Sequence, residues 1–63
     1  MELKGVIGLL NTILKGIRIV TGEPASLQSA ELIAKGILSS ITEKSIAEDF
    51  KYYVKEIYSI NLN

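Results

Sequence analysis

Ile17-Arg18-Ile19-Val20-Thr21-Gly22-Glu23-Pro24-Ala25-Ser26-Leu27 is the stretch on which the fold turns. Gly22 is a natural left-handed cap for a helix arriving from the N-terminal side. Pro24 lacks an amide hydrogen and pushes Glu23 into an extended conformation, so that helix cannot continue past it. Pro24 equally suits the first position of a new helix, with Ser26 near the exposed amides there. A turn of two or three residues then joins two helices, and so short a connection makes them antiparallel neighbours in a helical hairpin.

Upstream of this turn the apolar residues form two interleaved seven-residue series, Leu3, Leu10, Ile17 and Val6, Ile13, Val20. These are the a and d positions of an amphipathic helix over about residues 2–21. Ile7 and Leu14 widen the seam on one flank and Leu9 on the other, while Lys4, Asn11, Thr12, Lys15 and Arg18 take the remaining face. Gly5, Gly8 and Gly16 each cost up to about 1 kcal/mol against Ala in a helix interior. The helix therefore draws its stability from packing, and the seam Leu3, Val6, Leu10, Ile13, Ile17 and Val20 is expected to be completed by a second copy of the chain.

Downstream, a second helix over about residues 24–41 has the seam Leu27, Ala30, Ala34, Ile37 and Ile41, flanked by Ile33 and Leu38. Leu32 falls outside it. A third helix over about 45–60 carries Ile46, Phe50, Tyr53, Ile57 and Ile60 at helical spacing, with Ala47 and Val54 on the flank. Extending the second seam past Ile41 would bury Lys44 or Ser45 and then Glu48, so the pattern predicts a break, although Ser39 to Ser45 holds neither Gly nor Pro. Ser45-Ile46-Ala47-Glu48 matches a capping box. Asn61-Leu62-Asn63 reads as a frayed tail.

Composition bounds what such a chain can do. Its 63 residues, with seven basic and seven acidic side chains, make one small all-α domain of three helices and zero formal charge. One third of the residues are Ile, Leu or Val, far more than a disordered segment carries. A lone core of this size supplies roughly 3–5 kcal/mol. With no Cys or His, disulfides and thiolate or imidazole metal sites are excluded, so oligomerisation into a larger helical bundle is the expected supplement. No cofactor is implied. No signal-peptide pattern and no 18-residue apolar span occur, making the cytoplasm the default compartment, or the inside of a virus particle if the chain is encoded by a virus or other mobile element.

Chemistry-bearing motifs are absent. Without His or Cys, Ser-His and Cys-His nucleophilic mechanisms are excluded. Glu48 and Asp49, the adjacent acids, point in different directions on a helix and have Lys44 and Lys51 as local partners. Gly5-Val6-Ile7-Gly8 lacks the strand, lysine and serine context of a phosphate loop. A DNA-binding role is disfavoured because the later helices carry more acids than lysines, leaving Lys15 and Arg18 as the candidate phosphate contacts. A membrane-surface role for the first helix is the first alternative to protein binding, and a small DNA-binding regulator the second. The expectation is a non-enzymatic interaction module, an adaptor, assembly or inhibitory factor. Its partner patch is read as Leu32, Tyr52, Lys55 and Ser59, because exposed Tyr favours interfaces.

Overall fold

The chain folds into three helices, α1 (Leu3–Thr21), α2 (Leu27–Ser39) and α3 (Lys44–Tyr58), in a computed structural model that describes residues 2–62. Among the described residues there is no strand, and each helix packs against both others. Leu14, Lys15 and Arg18 of α1 share a cleft with Pro24 and Leu27. Ser59 and Ile60, beyond α3, share another with Leu27 and Glu31. The chain therefore runs up, down and up.

α1 ends as its sequence requires: Gly22 takes φ 77°, and its N–H donates to the Arg18 carbonyl at 2.8 Å. α2 begins later than expected. Its first residue is Leu27 instead of Pro24, because Ser26 supplies the cap: the Ser26 hydroxyl oxygen accepts the Ser29 N–H at 3.1 Å, and its carbonyl accepts the Ala30 N–H at 2.9 Å. Meanwhile the Glu23 N–H donates to Thr21 Oγ1 at 3.2 Å, which ties the connection back to α1. The connection is residues 22–26, longer than the two or three residues expected, and the hairpin survives the extra length.

The break between α2 and α3 needs neither Gly nor Pro. At the end of α2, two residues earlier than expected, the Ser39 hydroxyl donates to the Gly36 carbonyl at 2.7 Å, and the Ser40 N–H donates to Ile37 at 3.0 Å. Serine thus satisfies carbonyls that would otherwise call for another helical turn. The expected capping box does not form. Glu43 is the N-cap of α3, without a side-chain cap bond, and its carbonyl accepts the Ala47 N–H at 3.0 Å. Ser45 consequently lies inside the first turn, and Glu48 pairs with Lys51 at 3.5 Å.

The C-terminal end corrects another expectation. Ser59 adopts φ 57° and donates its N–H to the Lys55 carbonyl at 3.0 Å, while the Ile60 N–H reaches the Val54 carbonyl at 3.5 Å. This is an αL ending, closed by a 5→1 bond, with Ser in the place usually held by Gly. It turns Ile60 back into the core beside Val54, and Leu62 packs against the same cluster. The tail through Leu62 is therefore anchored; Asn63 lies outside the described residues.

The core consists of Val6 and Leu10 from α1, Ala30, Ala34 and Ile37 from α2, and Phe50, Val54 and Ile60. The small alanines of α2 and the bulky Leu10 and Phe50 belong to one buried cluster. Three seam assignments change. Val54, read as a flank, is fully buried, whereas Leu27 and Ile57, read as seam, are exposed. Both exposed residues lie at helix ends: Leu27 is the first residue of α2, and Ile57 is the last residue but one of α3.

Candidate interaction surface

The seam of the first helix has two fates. Val6 and Leu10 are each 1% exposed in the chain's own core, and Leu3 and Ile13 pack against it. Ile17 is half-buried, and Val20 is 85% exposed. The difference follows from length. A rise of about 1.5 Å per residue makes α1 about 28 Å long, whereas α2 and α3 have 13 and 15 residues against its 19. α1 outlasts the helices that cover it.

At 100° per residue, Gly5, Leu9, Thr12, Gly16, Ile19 and Val20 share one flank of α1, and no charged side chain falls among them. Leu9, Ile19 and Val20 are exposed there. A Cβ placed on Gly5, Gly8 or Gly16 would meet nothing within 4 Å. Packing inside the chain does not require these glycines.

Lys15 and Arg18 emerge on the opposite flank, at a cleft of about 530 Å³ with Leu14, Leu27, Ala30 and Tyr58 in its walls. Neither cation forms an ion pair among the described residues, where the pairs are Lys35 with Glu31 and Lys51 with Glu48. At the inner end, Tyr58 donates its hydroxyl proton to Asn11 Oδ1 at 2.6 Å. Asn11 Nδ2 lies 3.4 Å from the Tyr53 hydroxyl, and the two tyrosine rings meet edge to face with centroids 6.3 Å apart. Burial, reinforced by Tyr53, raises the Tyr58 pKa above that of an ordinary phenol. Tyr58 therefore remains a donor at neutral pH. No sequence signal announces this Asn11, Tyr53 and Tyr58 cluster, because its members are 42 and 47 residues apart.

A second cleft, of about 510 Å³, lies between the start of α1 and α3, where Leu3 and Ile7 face Asp49, Tyr52, Glu56 and Ile57. Its charged residues are both acids. Tyr52 and Lys55, from the expected partner patch, also share a smaller cleft with Glu48 and Lys51. Ser59 lines a different cleft and serves as the αL cap of α3. Leu32 is exposed on α2 and lines none of these clefts.

No helix among the described residues is long and apolar enough to cross a membrane. Nor do three or more acidic, His or Cys side chains gather there as a metal-holding group. The chain matches no family model, no curated protein and no solved structure.

Proposed function

We propose that the protein is a non-enzymatic interaction module that self-associates through its amphipathic helices and serves as an adaptor, assembly or inhibitory factor. One observation carries this reading. Among the described residues eight apolar side chains form the core, while seven large ones stay exposed: Leu9, Ile19, Val20, Leu27, Leu32, Tyr52 and Ile57. Isolated exposed apolar residues are ordinary, but grouped ones mark contact surfaces. Here they group on the uncharged flank of α1 and around Tyr52 and Ile57. Surplus apolar surface on a chain whose core is small favours completion by another chain.

The test is solution mass by light scattering over a concentration series. Self-association predicts a mass that rises in multiples of 6.9 kDa; a mass fixed at one chain up to millimolar concentration would remove that part of the reading. The uncharged α1 flank also favours a second reading, adsorption to a membrane surface with Ile19 and Val20 inserted. Co-sedimentation with anionic vesicles at low salt tests it: insertion requires Val20→Asp to abolish binding.

A further inference from the structure

We infer that copies of this chain dock head to tail, the acidic ridge of α3 on one copy entering the basic cleft between α1 and α2 on the next. The inference rests on the self-association reading above and assigns the surfaces that carry it. Although the whole chain has no net charge, residues 1–22 carry net +2 and residues 23–63 net −2. The fold concentrates this separation at two clefts. Lys15 and Arg18 border one in which no acid takes part, while Asp49 and Glu56 border the other, where no cation takes part. None of these four side chains forms an ion pair among the described residues.

The stripe that carries the acids also carries an apolar anchor. Asp49, Tyr52 and Glu56 lie at i, i+3 and i+7, one stripe along the outside of α3, with Tyr52 60% exposed between the two acids. A helix laid into a groove presents this pattern, an apolar anchor flanked by polar contacts. The receiving cleft offers Leu14, Leu27 and Ala30 to the ring and two cations to the carboxylates, and Arg18 is suited to a bidentate carboxylate contact. Because ridge and cleft are different surfaces of one chain, the contact is heterologous. It leaves a free ridge and a free cleft at its two ends and propagates until a ring closes.

Charge reversal with cross-rescue tests the assignment. The wild type, Arg18→Glu and Glu56→Lys are measured separately and as a 1:1 mixture of the two variants, by sedimentation velocity at about 20 mM and about 500 mM salt, with circular dichroism confirming equal helicity. The expected result is association by the wild type that weakens with salt, and a loss of about tenfold or more in each variant alone. The mixture regains it, because each variant then offers a surface complementary to one on the other. A monomeric wild type at every concentration would overturn both the inference and the self-association reading. Association that survives both reversals and high salt, or variants that fail to rescue one another, would overturn the head-to-tail docking and leave self-association standing.

Discussion

The two ends of α1 are written in the same code and meet opposite fates. Leu3, Val6, Leu10 and Ile13 continue, without a change of period, into Ile17 and Val20, yet the first four enter or pack against the core and Val20 is exposed. Periodicity reports which way a side chain points from its own helix and carries no information about whether another helix lies there. Coverage is set by the lengths of α2 and α3, hence by the caps that end them.

The largest effect that could break this comparison is a pair of truncations along the seam. Leu10→Ala removes a buried side chain and is expected to cost about 2–5 kcal/mol, enough to unfold much of so small a domain. Val20→Ala is expected to change stability by less than about 0.5 kcal/mol in dilute solution. Urea denaturation of both variants, at a concentration where the wild type is monomeric, checks the contrast. Equal destabilisation would mean that Val20 is covered.

Glycines sharpen the comparison at the next scale. Gly22→Ala forces a side chain into φ 77° and is expected to cost about 1–2 kcal/mol. Gly16→Ala has space for its methyl group and is expected to stabilise the helix by up to about 1 kcal/mol. In a domain of this size, 1 kcal/mol corresponds to a shift in melting temperature of about 4–8 °C, so opposite signs in one thermal scan separate the two positions. A melting temperature lowered by Gly16→Ala would show that this flank is crowded by a neighbour.

The caps explain what the sequence made legible. Three helices, the break after α2 and most of the α1 and α2 seams follow from apolar spacing, because burial enforces a period of 3.6. Sequence signals place the start of α2 three residues early, because Pro24 and Ser26 both carry N-terminal signals and the serine, with a side-chain acceptor, prevails. The start of α3 falls within a residue of the one expected, but the matching Ser45 and Glu48 spacing does not make Ser45 the cap, which is Glu43. The anchored tail depends on Ser59 in a left-handed conformation, which a non-glycine residue does not advertise. Ser59→Gly is therefore expected to raise the melting temperature, because the relief of about 1–2 kcal/mol of left-handed strain outweighs the roughly 0.5–1 kcal/mol of freedom Gly adds to the unfolded chain; a lowered melting temperature would mean that Ser59 carries no such strain. As for the candidate surface, Tyr52 and Leu32 are legible as exposed from their phase and Lys15 and Arg18 as neighbours on one face, whereas their placement beside Leu27 depends on the hairpin.

The smallest expected effect belongs to the middle of α1, where Asn11 accepts the Tyr58 hydroxyl proton. Burial raises the Tyr58 pKa in the folded chain above its ordinary value of 10.0, so the unfolded chain releases this proton first as pH rises. The stability held by neutral Tyr58 is complete below pH 10 and drains away as pH climbs from there through the folded-state pKa. Tyr58→Phe removes both the titration and the bond to Asn11. It should lower stability slightly at pH 7, on the order of 1 kcal/mol, and make the decline in melting temperature above pH 10 shallower than in the wild type. If both proteins lose stability in parallel there, the decline comes from other groups and the Asn11 contact to Tyr58 carries none of it.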